Sequence, residues 1–187
     1  MHLLFHTMYT AQTHIDSPLG KVLLARTALG LAGLWFAEGQ RDFPGTLHAP
    51  EDPHNELFQS VEVQLQRYWA APSGNAVNFD VALDLVGTPF QQDVWRALLT
   101  ISHGETCSYG DIAQRLGNPR ASRAVGMAVG RNPISIIVPC HRVIGRDAQL
   151  TGYSGGMHRK MALLTQEGHL FRGQRLQPAG FGQATLV

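Results

Sequence analysis

Residues 132–145 read NPISIIVPCHRVIG, and this stretch constrains both the fold and the chemistry of the chain. It places Cys140, one of only two cysteines, directly before His141 within a run of apolar residues. A thiol becomes a strong nucleophile as the thiolate, which a neighbouring base or cation favours. The run predicts a mostly buried strand, and the Cys-His pair indicates either covalent chemistry at sulfur or a structural cysteine beside a hydrogen-bonded histidine.

Strand geometry limits how these two side chains can cooperate. Successive side chains of a strand point to opposite faces of the sheet. We therefore expect His141 to act on the Cys140 thiol through a bridging water or a local turn, and not through a direct hydrogen bond.

The first third of the chain has the pattern of a small antiparallel meander followed by a helix. Strand-like runs bounded by turn residues occur at 12–16, 21–26 and 31–36. Apolar residues then recur at nearly helical spacing over 56–69, after a loop rich in Pro, His, Asp and Gly. Alternating apolar residues over 77–83 predict one further strand.

Short helices follow in the second half. Thr88, with Pro89 and a glutamine three positions after the threonine, fits a capped helix start, and Ser108 fits another. A Gly-Asn-Pro turn separates the second of these helices from a third over 121–129, which is the outline of a helix-turn-helix. A final helix is predicted over 157–167.

The helix over 121–129 is unusual for one that reads bases, because Arg123 is its only long polar side chain. Small side chains allow close approach to a narrow groove, so the pattern favours minor-groove contact without sequence-specific reading. An arginine among small residues could also occupy the space left by an extruded base. Tight packing between helices is the alternative explanation for the alanines and glycines.

Charge is divided unevenly along the chain. Residues 1–110 hold five Lys/Arg and eleven Asp/Glu, a net charge of −6, whereas residues 111–187 hold ten and three, a net charge of +7. The asymmetry favours a polyanionic partner, nucleic acid, over an ordinary surface of mixed charge. We predict an N-terminal domain over 1–86, a C-terminal domain over 87–172 and a flexible tail over 173–187.

Composition argues against several classes of protein. No run is long and apolar enough to span a bilayer, so no membrane partner is expected, and residues 1–6 lack the pattern of a signal peptide. Two cysteines cannot form a disulfide framework, which favours the reducing cytoplasm. The nine histidines show no convincing zinc spacing, so we expect no metal and no cofactor. No obligate protein partner is predicted.

Several motifs together resemble the O6-alkylguanine-DNA alkyltransferases, also called methylated-DNA–protein-cysteine methyltransferases. In order, they lie at 108–110 (SYG), 123–126 (RAVG), 132–145, 151–156 (TGYSGG) and 167–168 (EG). The resemblance is strong over residues 85–170 and is a matter of pattern alone before them. It implies an α/β, ribonuclease-H-like N-terminal domain with a small antiparallel sheet and a helix. A mostly α C-terminal domain with a helix-turn-helix would follow.

The resemblance also implies roles in the reaction. Cys140 would accept the alkyl group from guanine O6, and His141 would act through a water as its base, oriented by Glu167. Asn132 would shape the turn before the active-site strand. Tyr109 would assist base flipping and stabilise the leaving guanine.

Two further sets of residues are assigned by the same resemblance. The guanine pocket would be lined by Val143, Tyr153, Ser154 and Gly155. The DNA contacts would come from Arg123, Tyr109, Asn118 and Ala124. Ser135 stands where some relatives have proline, a departure that bears on the width of the pocket.

The implied function is direct-reversal repair of double-stranded DNA. The base is flipped out, and its alkyl group passes irreversibly from O6-alkylguanine, or from O4-alkylthymine, to a protein that is consumed in one turnover. Two alternatives stay open: a module that binds alkylated DNA without reacting, and a cysteine hydrolase. Nothing resembles the four-cysteine zinc domain that some relatives carry.

Overall fold

The computed structural model describes residues 9–177, which begin with a three-stranded antiparallel sheet. Its strands are β1 (Ala11–Ile15), β2 (Val22–Arg26) and β3 (Leu31–Phe36), in that spatial order. The meander predicted from the turn residues is therefore confirmed. A helix, α1 (Glu56–Ala70), completes the N-terminal domain.

Helix α1 forms where the periodicity predicts it. The Asn55 side chain accepts a hydrogen bond from the backbone N–H of Leu57, which caps the first turn. Phe58, Val61 and Leu65 are buried at helical spacing on one face. This face packs into the same apolar core as the sheet.

The strand predicted over 77–83 does not form. Only one residue of this segment bridges to the sheet, Leu83 opposite Leu31. Further along the same edge of β3, the Leu34 backbone pairs instead with residues 133–135 of the C-terminal half. Two separate segments share the edge that a fourth strand would have occupied, so neither becomes a strand.

The C-terminal domain is mostly helical. Its helices are α2 (Pro89–Leu99), α3 (Tyr109–Arg115), α4 (Ser122–Gly130) and α5 (Met157–Gln166), and a short parallel pair joins β4 (Cys107–Ser108) to β5 (Val143–Ile144). Both predicted capping boxes form, at Thr88 and at Ser108. Helices α3 and α4 contact each other across a turn that contains a short 3-10 helix, Pro119–Ala121.

Part of the predicted flexible tail is ordered. Strands β6 (Phe171–Arg172) and β7 (Arg175–Leu176) pair as a small hairpin. Leu176 is buried in a cluster with Ile144 and Leu164, which explains why the chain does not leave the surface at residue 173. The rest of the tail, 178–187, lies outside the described residues.

The two domains share one hydrophobic core. Val22, Leu34 and Phe58 of the first domain belong to the same buried cluster as Val125 and Val138 of the second. Because buried residues of both domains belong to one cluster, each domain supports the other. Within residues 9–177, no helix has both the length and the apolar character needed to cross a bilayer.

Candidate active site

The segment that carries the candidate nucleophile is a series of tight turns and not a strand. Backbone N–H groups of Ile137 and Cys140 bond to carbonyls only two residues earlier, at 2.8 Å each. Ile136 has a φ of 69°, a left-handed conformation that is costly for a β-branched residue. A 3-10 turn, Cys140–Arg142, follows and leads into β5. The prediction of a buried strand over this segment is therefore wrong, although its burial is correct.

Asn132 holds these turns together. Its side-chain NH2 lies 2.8 Å from the Val138 carbonyl, 3.2 Å from the Ile134 carbonyl and 3.0 Å from Cys140 Sγ. Its Oδ1 accepts from the Ile134 N–H at 3.0 Å. One buried amide thus replaces the ladder bonds that a strand would have supplied, and it also contacts the thiol directly.

The Cys140 thiol is 5% exposed, and burial raises its pKa above the ordinary value. The hydrogen bond from Asn132 and the charge of Lys160 oppose that shift. Lys160 is itself buried, and its Nζ donates to the carbonyls of Val143 and Thr151. Burial lowers the Lys160 pKa to about 8. The site thus holds a thiol that is neutral at rest and places three side chains, those of Asn132, Lys160 and Tyr153, where they favour the thiolate.

His141 is completely buried and contacts Glu167, not Cys140. Its Nε2 lies 2.8 Å from Glu167 Oε1. Burial lowers the pKa of His141, so the ring is neutral near pH 7, and an ionised carboxylate can only accept a hydrogen bond. Nε2 therefore carries the proton, which leaves a lone pair on Nδ1. That atom has no hydrogen-bond partner among residues 9–177.

Glu167 caps the C-terminal end of α5 and is held by several donors. Arg142 donates from Nε to Oε2 at 2.8 Å and from Nη2 to Oε1 at 2.9 Å. The Tyr68 hydroxyl of α1 donates to Oε1 at 3.1 Å. Burial alone would raise the pKa of Glu167, but hydrogen bonds and charge from His141 and Arg142 hold it well below its usual range. The carboxylate stays ionised and fixes the imidazole.

A cleft of about 610 Å³ lies between α4 and the loop after β5. Cys140 is not among the residues that line it, but Tyr153, which lines it, also lies near the thiol. Tyr109, Arg123, Tyr153 and Ser154 line it, as do two residues of the N-terminal domain, Arg41 and Asp42. Burial raises the pKa of the Tyr109 and Tyr153 phenols, and a negative charge on Cys140 raises the pKa of both further. Both rings therefore lie near the thiol. The Tyr153 hydroxyl is buried and meets no partner of good hydrogen-bond geometry within the described part of the chain, but it lies near enough to Cys140 Sγ to lower the thiol pKa.

The other residues assigned from the resemblance are distributed around this cleft. The Tyr109 hydroxyl is 2.9 Å from Thr151 Oγ1. Val143 is fully buried in the core and is not among the residues that line the cleft. Gly155 packs behind the cleft against Phe36.

On the helical side, Asn118 precedes the short 3-10 turn and is exposed. Ala124 is exposed on α4 and lines a smaller cavity with Met127 and Arg131. Both therefore lie on the surface and are accessible to a large ligand, and Ala124 directly follows Arg123 on α4.

Several functional contacts were not visible in the sequence. Arg142 follows the Cys-His pair directly, yet nothing local indicates its pairing with Glu167. Tyr68 falls on the apolar face of α1 and looks like an ordinary core residue. Lys160 is a lysine on the inner face of α5, which is a usable signal because lysine is seldom fully buried without a specific role.

The site contains no arrangement suited to a metal ion. Within the described residues, no group of three or more His, Cys, Asp or Glu side chains could hold one. Cys107 and Cys140 are both free thiols. Burial raises the Cys107 pKa to about 11, so this second cysteine is a poor nucleophile.

Fold and site together define a class of protein: two domains on one core, with a buried thiol, a His-Glu pair and a cleft lined by α4 and by the loop that carries Tyr153. Comparison with known proteins identifies the family. Residues 8–85 match the 6-O-methylguanine DNA methyltransferase ribonuclease-like domain, and residues 89–169 match the DNA binding domain of the same family. The chain belongs to this family.

Relatives of similar length support the assignment. The methylated-DNA–protein-cysteine methyltransferase of Mycobacterium tuberculosis strain H37Rv is 53% identical over 153 residues, which are 82% of this chain and 89% of the relative. That of Methanosarcina acetivorans is 46% identical over 155 residues, which are 82% and 95% of the two chains. A crystal structure of Mycobacterium tuberculosis OGT in complex with DNA superposes with a TM-score of 0.76 at 49% identity, covering 85% and 94%.

Proposed function

We propose that this protein repairs alkylated DNA by transferring the alkyl group of O6-alkylguanine irreversibly to Cys140. It acts in the cytoplasm, where two free thiols stay reduced. The observation that carries the proposal is the Cys140 site itself: a buried thiol contacted by Asn132, beside a neutral His141 that Glu167 orients. The names of the relatives agree with this reaction.

The first step removes the thiol proton. The His141 ring has its Nε2–H committed to Glu167, so the free lone pair on Nδ1 is the available base. Because Nδ1 makes no hydrogen bond within residues 9–177, a water between it and Cys140 fits as the relay for the proton. Glu167 stays ionised and stabilises the imidazolium that results.

The second step is a displacement at carbon. The thiolate forms the S–C bond while the C–O6 bond breaks, and the electron pair of that bond goes to the guanine. The Tyr109 hydroxyl stabilises this leaving group. The restored guanine takes up one proton and the His141 imidazolium gives one up, so the thiol proton balances the reaction and His141 returns to its neutral form. The product is a thioether, and a free thiol is not regenerated. Each protein molecule therefore acts once.

Guanine O6 lies within the base stack, so the base must leave the duplex to reach Cys140. The cleft beside α4 supplies a space for it, and Arg123 on the cleft wall would fill the gap left in the duplex. On α4, Ala124 is exposed and Ser122 and Gly126 are half-buried, and these small residues favour close approach to the minor groove. Phosphate contacts would come from the basic second half of the chain.

The two alternatives differ in what they require of Cys140. A non-reacting DNA-binding module needs no nucleophile, whereas here the thiol, its amide contact and the oriented histidine are all assembled. A cysteine hydrolase needs repeated turnover and donors for an oxyanion. Cys140 belongs to the shared hydrophobic core and its polar contacts are directed at the sulfur itself, which fits acceptance of an alkyl group by the thiolate.

Intact mass measurement separates the three functions. The protein is incubated with duplex DNA that contains O6-methylguanine, alongside Cys140→Ser and the matched control Cys107→Ser. We expect one added methyl group on the unmodified protein and on Cys107→Ser, and none on Cys140→Ser. Binding of the DNA without an adduct would favour the non-reacting module. Repeated hydrolysis of an ester or amide would favour the hydrolase.

A further inference from the structure

Arg159 connects the loop at the base of the cleft to the N-terminal domain. It lies in the first turn of α5 and is 6% exposed. Its Nη1 donates to the carbonyls of Glu38 at 2.8 Å and of Gly155 at 2.9 Å, and its Nε donates to the Leu19 carbonyl at 2.9 Å. One guanidinium thus joins two turns of the first domain to the loop that precedes α5.

The surroundings of this guanidinium are unusual for a buried charge. No carboxylate of residues 9–177 lies within 4.0 Å of it. Three carbonyls and the face of the Phe36 ring, 4.4 Å from Cζ, take the place of an ion pair. Burial of an unpaired cation is costly, and an apolar side chain would serve stability as well. The buried Arg159 is therefore better explained by the positions in which it holds the three carbonyl groups than by a gain in stability.

Two other contacts hold the same loop against the same domain. The Arg41 backbone N–H donates to the Ser154 carbonyl at 2.9 Å. Gly155 lies so close to Phe36 that a Cβ placed on it would be 3.1 Å from that ring and 2.6 Å from the Tyr153 ring. Residues 36–41, which comprise the last residue of β3 and the turn after it, thus form a platform for the backbone of Ser154 and Gly155.

We propose that Arg159 is a positioning residue that holds the base-binding loop, Tyr153–Gly155, on this platform and thereby sets the affinity for the alkylated base. The hydrogen bonds of Cys140 to Asn132 and of His141 to Glu167 involve neither Arg159 nor the platform, and within the loop it is Tyr153 that lies near the thiol. The inference rests on the proposed alkyl transfer, since it assigns the loop to the binding of the substrate base.

The experiment follows the reaction of Cys140 with free O6-benzylguanine over a range of concentrations, which separates the half-saturating concentration from the maximal rate. Arg159→Met removes every hydrogen bond from the guanidinium at similar length. We expect the half-saturating concentration to rise about tenfold, as loss of charged hydrogen bonds implies, with the maximal rate changed less than about twofold. Arg159→Lys keeps the charge without the forked geometry. Its half-saturating concentration should lie between those of the unmodified protein and Arg159→Met.

Two controls make the outcome specific. Arg67→Met replaces an exposed arginine on α1 and should change neither parameter. Alkylation of Cys140 by iodoacetamide reports the reactivity of the thiol itself and should be the same in Arg159→Met as in the unmodified protein. Thermal denaturation establishes that each variant is folded. Should Arg159→Met not fold, Arg159→Lys and Phe36→Leu provide the comparison.

An unchanged half-saturating concentration in folded Arg159→Met would overturn the inference. So would a parallel loss of the iodoacetamide reaction, because it would mean a general structural role. Either result leaves the alkyl transfer intact as long as the unmodified protein is alkylated on Cys140. Failure of the unmodified protein to become alkylated would instead refute the proposed function.

Discussion

The Glu167 carboxylate organises the chemistry of the site at the scale of single residues. It accepts hydrogen bonds from His141, Arg142 and Tyr68 and stays ionised. This arrangement assigns the proton of the neutral imidazole to Nε2 and leaves Nδ1 as the base. Orientation of the histidine by a third group is the common logic of activated nucleophiles.

The buried histidine predicts an acid limit to the reaction. Burial lowers the pKa of His141 below its ordinary 6.5, against the opposing effect of Glu167 and with a smaller contribution from the charges of Arg142 and Lys160. As the pH falls through the folded-state pKa, Nδ1 becomes protonated and can no longer accept the thiol proton. We expect the single-turnover rate with O6-benzylguanine to be constant near pH 7.5 and to fall on the acid side of 6.5.

The stability of the folded protein should also decrease as the pH falls. The unfolded chain binds a proton at His141 near pH 6.5, whereas the folded protein resists it, so the free energy of unfolding decreases as the pH falls below 6.5.

The control for the pH dependence of the rate is His54→Gln, which replaces an exposed histidine and should leave that dependence unchanged. A constant rate down to pH 5 in protein that circular dichroism shows to be folded would contradict the role of His141.

Sequence alone predicted part of this site. Cys140, His141 and Glu167 were identified because short motifs carry them. Tyr68 and Arg142 were not, since their function depends on how distant elements meet: Tyr68 and Glu167 are 99 residues apart in the chain. Periodicity describes which face of α1 is buried, but not which polar atom that face meets.

At the scale of elements, the turns over 134–140 replace the strand that their apolar composition predicts. Asn132 makes this possible by bonding the Ile134 and Val138 carbonyls with its own side chain. A pattern of apolar residues cannot distinguish a buried strand from buried turns when the deciding hydrogen bonds come from one side chain outside the run. The strand over 77–83 failed for the related reason that another segment shares its pairing edge.

Removal of the Asn132 side chain should affect both stability and the thiol. Asn132→Ala leaves buried carbonyls without donors, and we expect a loss of about 1–3 kcal/mol in the free energy of unfolding. The Cys140 pKa should rise further, because the hydrogen bond to sulfur lowers it. Urea denaturation and the pH dependence of iodoacetamide alkylation measure the two effects. Asn75→Ala, at an exposed loop position, is the control, and equal behaviour of both variants would refute the assignment.

Helix α4 should matter for duplex DNA and not for a free base. Arg123→Ala removes the side chain proposed to fill the space of the flipped nucleotide. We expect repair of O6-methylguanine in duplex DNA to slow by about tenfold, since unstacking a base costs a few kcal/mol, with little change in the reaction of free O6-benzylguanine. Arg67→Ala on α1 is the matched control. Equal losses on both substrates would rule out a role in extrusion.

At the scale of the whole molecule, the N-terminal domain takes part in the site. Its helix α1 supplies Tyr68 to Glu167, and its C-terminal end is tied to α5 by Ser73 Oγ, which donates to the Thr165 carbonyl at 2.7 Å. The Gln166 side chain donates in return to the carbonyls of Tyr68 and Ala71 at 2.9 and 2.8 Å. The sequence predicts two domains in this order. A boundary near residue 86 does not reveal that Tyr68 of the first domain bonds Glu167 of the second.

Loss of the Tyr68 hydroxyl should weaken this connection without disturbing the core. Tyr68→Phe keeps the buried ring and removes one hydrogen bond to Glu167, so we expect about 1 kcal/mol lower stability and a transfer rate reduced about threefold. Denaturation and single-turnover kinetics measure the two. Tyr9→Phe removes a hydroxyl that bonds to no other described side chain and should change neither. An unaltered rate in Tyr68→Phe would confine the hydroxyl to a structural role.

The central claim, that Cys140 accepts one alkyl group and is then spent, is tested most directly by stoichiometry. A known amount of protein is mixed with a large excess of duplex DNA that contains O6-methylguanine, and the restored guanine is counted until the reaction stops. We predict a plateau at one guanine per protein molecule, with the methyl group on Cys140 in every spent molecule. Continued restoration of guanine beyond that ratio, or a plateau with Cys140 unmodified, would contradict the account.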